Sequence, residues 1–326
     1  MGSTLRALRR RLITPDASEA SLDKRGFHTK GPARRELLEN VGQIFLSGYG
    51  DAVETRTVAE LEERLERIPR QFRGFAYEGA AMGLAVLDGL PFGGRRRTAD
   101  LLAGPGDRHI YMVYVGIGWA MARLPRFRWP AASTLDPLLR WLVLDGYGFH
   151  QAYFHTARYV HEQYQDPAFR WPADATRWYA NHAIDQGIGR ALWFVGGADP
   201  ARVVTLLERF PEQRRADLFA GVGLAATYAG GVGGDDLAAL STLAGGYRPV
   251  LAQGAAFAAE ARVRAGLVLP HTGAATAVLC GTTPDRAAEI TQELRPAQPV
   301  DGQLPAYEAW RRSIAGAFVS LGGVRA

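Results

Sequence analysis

The sequence predicts an all-helical protein, arranged as about three tandem copies of one helical unit. Three observations predict it. Apolar residues recur every three or four positions through the segments described below, which is the spacing of one helix face. No stretch of about six residues alternates apolar and polar side chains, as a half-exposed strand would. Related segments also return at a constant offset, which is typical of repeat architectures.

The repeat is most visible between two short segments. Residues 66–73 read ERIPRQFR, and residues 208–215, which lie 142 positions later, read ERFPEQRR. A middle copy lies about halfway, because the Gly-Ile-Gly at 116–118 returns at 187–189, an offset of 71. Two offsets near 71 give 142, so the matches support one another. We therefore predict an N-terminal segment, 1–57, and one helical repeat domain, 58–326, with units at about 58–124, 130–196 and 200–266 and a degenerate end at 284–326.

Each unit is expected to hold three helices. In the first copy Val58, Leu61 and Leu65 mark one helix, and Pro69 ends it because proline cannot continue a helix. A stretch rich in glycine and proline at 89–94 then separates the second helix from the third. The predicted helices are 58–67, 72–87 and 110–124 in the first copy, 200–209, 217–228 and 250–265 in the last, and 285–294 and 307–319 in the degenerate end.

Glycine occurs inside these helices at matched positions of the copies. Each glycine in a helix interior costs about 1 kcal/mol relative to alanine, so its repeated use needs a reason. The absence of a side chain lets two helices approach closely. We expect the helices to cross at these small residues, which are Gly79, Gly83, Gly116, Gly118, Gly187, Gly189, Gly221 and Gly223.

The middle copy carries polar residues where the other two copies are mostly apolar. His182, Asp185 and Gln186 share one helix face, because they are three and four positions apart. The equivalent positions are tyrosine, tyrosine and valine in the first copy, and leucine, glycine and alanine in the last. His150 and Tyr153 occupy a similar position on the preceding helix. A packing face has therefore acquired another role in this copy.

Buried histidine and aspartate must be hydrogen bonded or face a wet cavity. We predict that the two polar faces meet in one cavity, where His182 and Asp185 would suit proton transfer as an acid–base pair. The alternative is a satisfied structural network, or a middle unit whose polar face meets solvent. The predicted catalytic residues are His150, His182 and Asp185, and the predicted substrate-binding residues are Glu78, Tyr153, Gln186 and Arg190.

No cofactor can be assigned from the sequence. The imidazoles of His150 and His182 and the carboxylates of Asp185 and Glu78 are acceptable ligands of iron, manganese or zinc, but their spacing matches no known metal motif. The sequence has no phosphate-binding loop, and the Gly-Ile-Gly at 116–118 lacks the preceding strand of a dinucleotide site. We therefore assign no metal site and leave the cofactor unknown.

The composition is that of an ordinary globular protein. Of 326 residues, 47% are hydrophobic and 22% are charged, and the formal net charge is +5. Cys280 is the only cysteine, and the longest apolar run, 110–124, is shorter than the roughly twenty residues of a membrane-spanning helix. We therefore expect a cytoplasmic protein with no internal disulfide and no transmembrane helix.

Basic residues cluster near the N-terminus and at Arg95, Arg96 and Arg97. They are either solvated patches or contacts for an anionic partner, such as a membrane surface reached peripherally. No aromatic residues are interleaved with them and no nucleic-acid-binding motif is present, so nucleic acid is not expected as a partner. The glycine-rich helix faces leave a homodimer open.

Three segments of the chain resemble a known family. Residues 145–150 read DGYGFH, residues 187–194 read GIGRALWF, and residues 223–230 read GLAATYAG. These are similar to domain-of-unknown-function family 1702, an actinobacterial family with UnbL-like members that accompany the polyketide synthases of enediyne natural products. The resemblance covers about Phe27 to Gly322. The segments are family hallmarks and carry no catalytic signature.

The resemblance implies a role in maturing a nascent polyene or polyyne chain into an enediyne core. Such a substrate is long, flat and apolar, and a cleft lined by glycine and aromatic residues between helices would suit it. We expect an apolar intermediate as ligand, with the polyketide synthase or other pathway proteins as further partners. Three functions stay open: an enzyme acting on the polyketide-derived chain, a binding or chaperone protein for a labile intermediate or its synthase, and a helical-repeat scaffold.

Overall fold

The computed structural model describes residues 3–91 and 96–321, and every regular element in that part of the chain is a helix. The all-helical prediction is confirmed. The α-helices are α1 (Ser3–Ile13), α2 (Leu22–Arg25), α3 (Pro32–Glu54), α4 (Val58–Glu66), α5 (Arg70–Gly89), α6 (Arg97–Leu102), α7 (Ile110–Met121), α8 (Trp141–Phe154), α9 (Ala180–Val195), α10 (Pro200–Leu207), α11 (Glu212–Tyr228), α12 (Gly234–Ala244), α13 (Arg248–Arg264), α14 (Pro270–Leu279), α15 (Pro284–Glu293) and α16 (Ala306–Ser320).

Most helix positions agree with the sequence-based prediction to within a few residues. The predicted helix at 110–124 is α7, and the one at 285–294 in the degenerate end is α15. The periodicity did not identify α3 in the N-terminal segment, nor the shorter α12 and α14. Short 3-10 turns at Ala17–Ala20 and Ala175–Tyr179 and a π-helical turn at Ala157–His161 connect the longer helices.

Side-chain caps and prolines set where several helices begin. The hydroxyl of Thr57 accepts a hydrogen bond from the backbone N–H of Glu60 at 3.1 Å, which caps α4. Thr283 caps α15 in the same way, and Pro284 occupies its first turn, where the missing N–H is not needed. Pro69 lies between α4 and α5, so the chain turns there as the sequence predicts.

The long helices cross at their glycines, as expected. In α9 a Cβ added at Gly187 would overlap the backbone carbonyl of Asp145 in the preceding helix α8. A Cβ added at Gly189 would overlap the carbonyl of Leu218 in the following helix α11. The Gly-x-Gly sequences of three other helices make the same two-sided contact: 116–118 in α7, 146–148 in α8 and 221–223 in α11. The first glycine therefore faces the preceding helix and the second faces the next.

The long helices pack in chain order, and α13 also contacts α5 and α7. Helix α3 packs on α5, and α5, α7, α8, α9, α11 and α13 follow one another. A guanidinium nitrogen of Arg262 in α13 donates to the carbonyl of Gln71 in α5 at 3.2 Å. Tyr111 of α7 donates its hydroxyl proton to Glu260 of α13 at 3.1 Å. The helices therefore enclose a common interior.

The hydrophobic core is continuous from the N-terminal segment to the degenerate end. Leu22 and Leu38 of the N-terminal segment belong to the same buried cluster as Trp193 and Phe318. The predicted boundaries of the repeat units remain predictions.

One of the two basic clusters lies at a gap in the described residues. Arg95 is outside the described part of the chain, whereas Arg96 is exposed and Arg97 pairs with Asp88 at 3.4 Å. No helix in residues 3–91 and 96–321 is long and apolar enough to cross a membrane.

Candidate functional site

An apolar cavity opens between the long helices and the N-terminal segment. We call it the entrance cavity; it holds about 770 Å³ of empty space, counted to the atom surfaces and including its open side. The half-buried Pro15 and Glu19 and the exposed Arg123 line its solvent side. Its walls are mostly aromatic and aliphatic, and the rings come from Phe45, Phe75, Trp119, Phe149, Tyr153, Phe154, Phe194 and Tyr228.

A second apolar cavity lies behind the first. We call it the inner cavity; it holds about 500 Å³ of empty space, its open side included. Leu142, Phe257 and Trp310 are among its lining residues, from α8, α13 and α16. The two cavities share Arg190, Leu224 and Tyr228, and we call these three residues the waist. Apolar space therefore lies on both sides of a narrow polar region.

A buried ion cluster occupies the waist. Arg190 in α9 pairs closely with Asp145 in α8, and its other terminal nitrogen lies 3.7 Å from Glu78 in α5. Glu78, Asp145 and Arg190 are only 3%, 2% and 5% exposed. Glu78 lines the entrance cavity and Asp145 the inner cavity. One cationic and two acidic groups thus lie between the two apolar spaces.

The glycine crossings place these charged residues next to one another. Glu78 precedes Gly79, Asp145 precedes Gly146, and Arg190 follows Gly189, and each of these glycines contacts the backbone of a neighbouring helix. A residue adjacent to a crossing glycine is held close to the next helix. The close helix packing therefore brings side chains from three different helices into one cluster.

Burial raises the pKa of Glu78 to about 7. Arg190 opposes this shift by stabilising the carboxylate, and Asp145 adds to it because a second negative charge is unfavourable nearby. Burial also raises the pKa of Asp145, against the closer Arg190 guanidinium. One guanidinium can compensate one carboxylate, and Asp145 is its nearer partner. Glu78, with a pKa of about 7, therefore exchanges a proton near neutral pH.

The structure divides the predicted site residues among several places. Glu78, Tyr153 and Arg190 line the entrance cavity. His150 is buried between Trp119 and Phe154, with ring centroids 5.5 Å and 4.7 Å from its own, and its Nδ1 has no hydrogen-bond partner among the described residues. Burial lowers its pKa to about 3, so the ring is neutral. His150 packs behind the cavity wall and does not line it.

His182 and Gln186 belong to a separate polar network between α9, α11 and α16. His182 Nδ1 lies 2.8 Å from a carboxylate oxygen of Asp217, and this hydrogen bond raises the pKa of the imidazole. The side-chain amide of Gln186 donates to the other oxygen of Asp217 at 3.1 Å. Arg311 donates to that same oxygen at 2.8 Å. His182 is partly exposed, so this network reaches the surface on another side of α9.

Asp185 pairs with an arginine that the sequence did not indicate. Its two carboxylate oxygens accept hydrogen bonds from Arg214 at 2.6 Å and 2.9 Å. Both residues line a polar pocket together with Gln165 and Asn181, distinct from the entrance cavity. Burial raises the pKa of Asp185 to about 6, although Arg214 opposes the shift.

The prediction that the two polar faces meet in one cavity is therefore wrong. Helix α9 is enclosed by α8 on one side and α11 on the other, so residues of one predicted stripe meet different neighbours. Asp217 and Arg214 of α11 bind His182 and Asp185 and hold them away from the waist. The roles assigned to the site residues remain predictions.

Sequence reasoning missed three residues of the waist region. Asp145 gave a signal, because it stands where the other copies have Arg73 and Arg215. Tyr228 and Trp119 gave none, since aromatic residues at helical spacing are usually core. Among the described residues, no group of three or more histidine, cysteine, aspartate or glutamate side chains is arranged to hold a metal ion.

Comparison with known proteins agrees with the resemblance seen in the sequence. A family model described as a protein of unknown function, DUF1702, matches residues 4–318. The chain belongs to the DUF1702 family. No curated protein and no solved structure matches this DUF1702 chain significantly. The waist cluster and its two cavities are accordingly described from this chain's own residues.

Proposed function

We propose that the protein acts in the biosynthesis of a polyketide-derived natural product of the enediyne class, by binding an elongated, apolar polyene or polyyne intermediate in the entrance and inner cavities. The observation that carries the proposal is the arrangement of two apolar cavities around one buried ion cluster. A long hydrocarbon chain gains free energy by leaving water for such walls, at about 25 cal/mol per Å² of apolar surface. The resemblance to UnbL-like proteins supplies the enediyne context.

We further propose that the Glu78 carboxylate takes a proton from one carbon of the bound chain and then returns it to another carbon, so that a double bond shifts along the chain and no other reactant is consumed. A buried carboxyl group with a pKa of about 7 is populated as both acid and base at neutral pH. Arg190 lies beside it and would stabilise negative charge that develops on the ligand during the transfer.

A non-catalytic binding protein is the second candidate. The aromatic lining of the entrance cavity favours it, since rings from several helices would shield a reactive polyene from water and oxygen without any reaction. The two candidates share the ligand and differ in the need for Glu78.

Binding is tested with diphenylhexatriene, a conjugated hydrocarbon that fluoresces only in apolar surroundings. We expect saturable binding, weakened by about tenfold or more in Leu224→Trp, because the larger ring fills the waist. Leu243→Trp, at an exposed position of α12, is the matched control and should bind as the wild type does. An absence of binding, or equal binding in Leu224→Trp with unchanged helical content, would contradict the proposal.

The pathway role is tested in the gene's own host. Deletion should make unprocessed polyketide-derived intermediates accumulate, as measured by mass spectrometry of culture extracts. Complementation with Glu78→Gln separates the two candidates: an enzyme stays inactive, whereas a binding protein regains function. Normal metabolite profiles after deletion would contradict both.

A further inference from the structure

Two buried hydrogen-bond donors in the wall of the entrance cavity have no acceptor among the described residues. They are the hydroxyl of Tyr228 and the indole N–H of Trp119. These residues are 3% and 6% exposed, and both line the entrance cavity. Buried polar groups in proteins are nearly always hydrogen bonded, and an acceptor bound in this cavity would satisfy both donors.

Both donors lie near Glu78. Burial raises the pKa of the Tyr228 hydroxyl, Arg262 opposes the shift, and Glu78 adds to it. Burial raises the pKa of Glu78, and the nearby indole N–H of Trp119 lowers it by a smaller amount. The contact between the indole N–H and the Glu78 carboxyl group does not reach hydrogen-bond geometry. Glu78, Trp119 and Tyr228 all line the entrance cavity, so the two donors and the carboxyl group belong to the same cavity wall.

Packing fixes the position of each donor. The Tyr228 ring lies 3.9 Å from the Arg262 guanidinium carbon, and its hydroxyl lies against Gly74, where an added Cβ would overlap the oxygen. The Trp119 ring is held between Phe45 and Phe149, with ring centroids at 4.5 Å and 5.0 Å. Donors held in place lose little conformational entropy when a ligand binds.

We propose that the ligand carries an internal carbonyl group whose oxygen accepts hydrogen bonds from Tyr228 and Trp119 at the waist, with an apolar arm in each cavity. This inference rests on the proposed function and names its substrate class: a long-chain unsaturated ketone or a similar neutral carbonyl compound. The carbonyl is internal because apolar space lies on both sides of the waist.

The charges at the waist favour a neutral oxygen over a carboxylate. Glu78 and Asp145 already share the guanidinium of Arg190, and the guanidinium of Arg262 beside Tyr228 donates to the backbone carbonyls of Gln71 and Tyr228. A carboxylate ligand would bring a third negative charge into this buried region and would be repelled by both side chains. A carbonyl oxygen accepts the two hydrogen bonds without adding a charge.

The probes are dioctyl ketone, which has its carbonyl at the centre of the chain, and heptadecane, the hydrocarbon of equal length. Both are measured by displacement of diphenylhexatriene, so failure of the proposed function appears separately as failure to bind that dye. We expect the ketone to bind about tenfold more tightly than heptadecane, a ratio typical of one or two net hydrogen bonds. The infrared band of the ¹³C-labelled carbonyl should shift to lower frequency on binding.

Tyr228→Phe and Trp119→Phe should each lower the ratio of the two affinities and reduce the infrared shift. A change in cavity shape affects the binding of both ligands, so it leaves the ratio of the ketone and heptadecane affinities nearly unchanged. Tyr247→Phe and Trp178→Phe lie outside both cavities and are the matched controls. Equal affinity for ketone and hydrocarbon would show that water alone satisfies the donors and would overturn the proposal. Tighter binding of heptadecanoate than of the ketone, or an infrared shift that both phenylalanine variants retain, would also overturn it.

Discussion

Ionised Glu78 is expected to destabilise the folded protein at neutral and alkaline pH, and Glu78→Gln should remove that effect. Burial raises the pKa of this carboxyl group from 4.5 to about 7, and each pKa unit corresponds to about 1.4 kcal/mol. The folded state therefore holds the proton more tightly than the unfolded chain. The stability that protonated Glu78 contributes is fully present below about pH 4.5 and is lost as the pH rises through 7. Above that pH the free energy of unfolding is lower by about 3 kcal/mol.

Glutamine resembles the protonated side chain in shape and stays neutral at every pH. We expect Glu78→Gln to be more stable than the wild type by about 1 kcal/mol near pH 5 and by about 3 kcal/mol near pH 8. Urea unfolding followed by circular dichroism measures both differences. Glu63→Gln, at an exposed position of α4, controls for the loss of one carboxylate and should show no such pH dependence. A Glu78→Gln variant that is less stable at pH 8, or a difference that does not grow with pH, would refute the reasoning.

Three further predictions concern the packing of the core. Gly187→Ala should lower the free energy of unfolding by about 1–3 kcal/mol, because its Cβ would overlap a neighbouring helix. Gly316→Ala, whose Cβ meets open space, should be neutral or slightly stabilising. Urea unfolding compares the two variants, and equal effects would contradict the helix crossing. Arg214→Ala should lower the free energy of unfolding by about 3–5 kcal/mol, because it leaves Asp185 buried without its partner. The double variant that also carries Asp185→Asn should recover part of this loss in the same assay, and no recovery would argue against the ion pair. Cys280 is buried, and burial raises the pKa of its thiol. A thiol reagent should therefore label Cys280 only as fast as the protein unfolds, and rapid labelling of the native protein would contradict its burial.

The helical architecture could be predicted because its signals are local. Apolar spacing and Pro69 define helices over a few turns of chain, and the repeated glycines mark where those helices approach. The same comparison of copies identified Arg190, which belongs to the waist, and Glu78, which pairs with it. Arg190 stands where the other copies have Trp119 and Ala259, and Glu78 is the one polar residue outside the middle copy at its set of positions, so the repeat made both visible.

The arrangement of the site could not be predicted because its pairings are long-range. His182 pairs with Asp217, and Arg311, 94 positions further along the chain, completes that network. A helix face shows which residues point in one direction, but it does not show which neighbouring helix they meet. The prediction of one shared cavity failed for this reason, although it named three residues that do line the entrance cavity.

The most direct test of the central claim is a crystal structure of the protein with dioctyl ketone that carries a bromine atom at each chain end. Anomalous scattering locates the two bromines independently of any interpretation of the chain between them. The account predicts one bromine in the entrance cavity near Phe45 and the other in the inner cavity near Phe257, with the carbonyl oxygen at Tyr228. Both bromines in one cavity, or both on the protein surface, would contradict it.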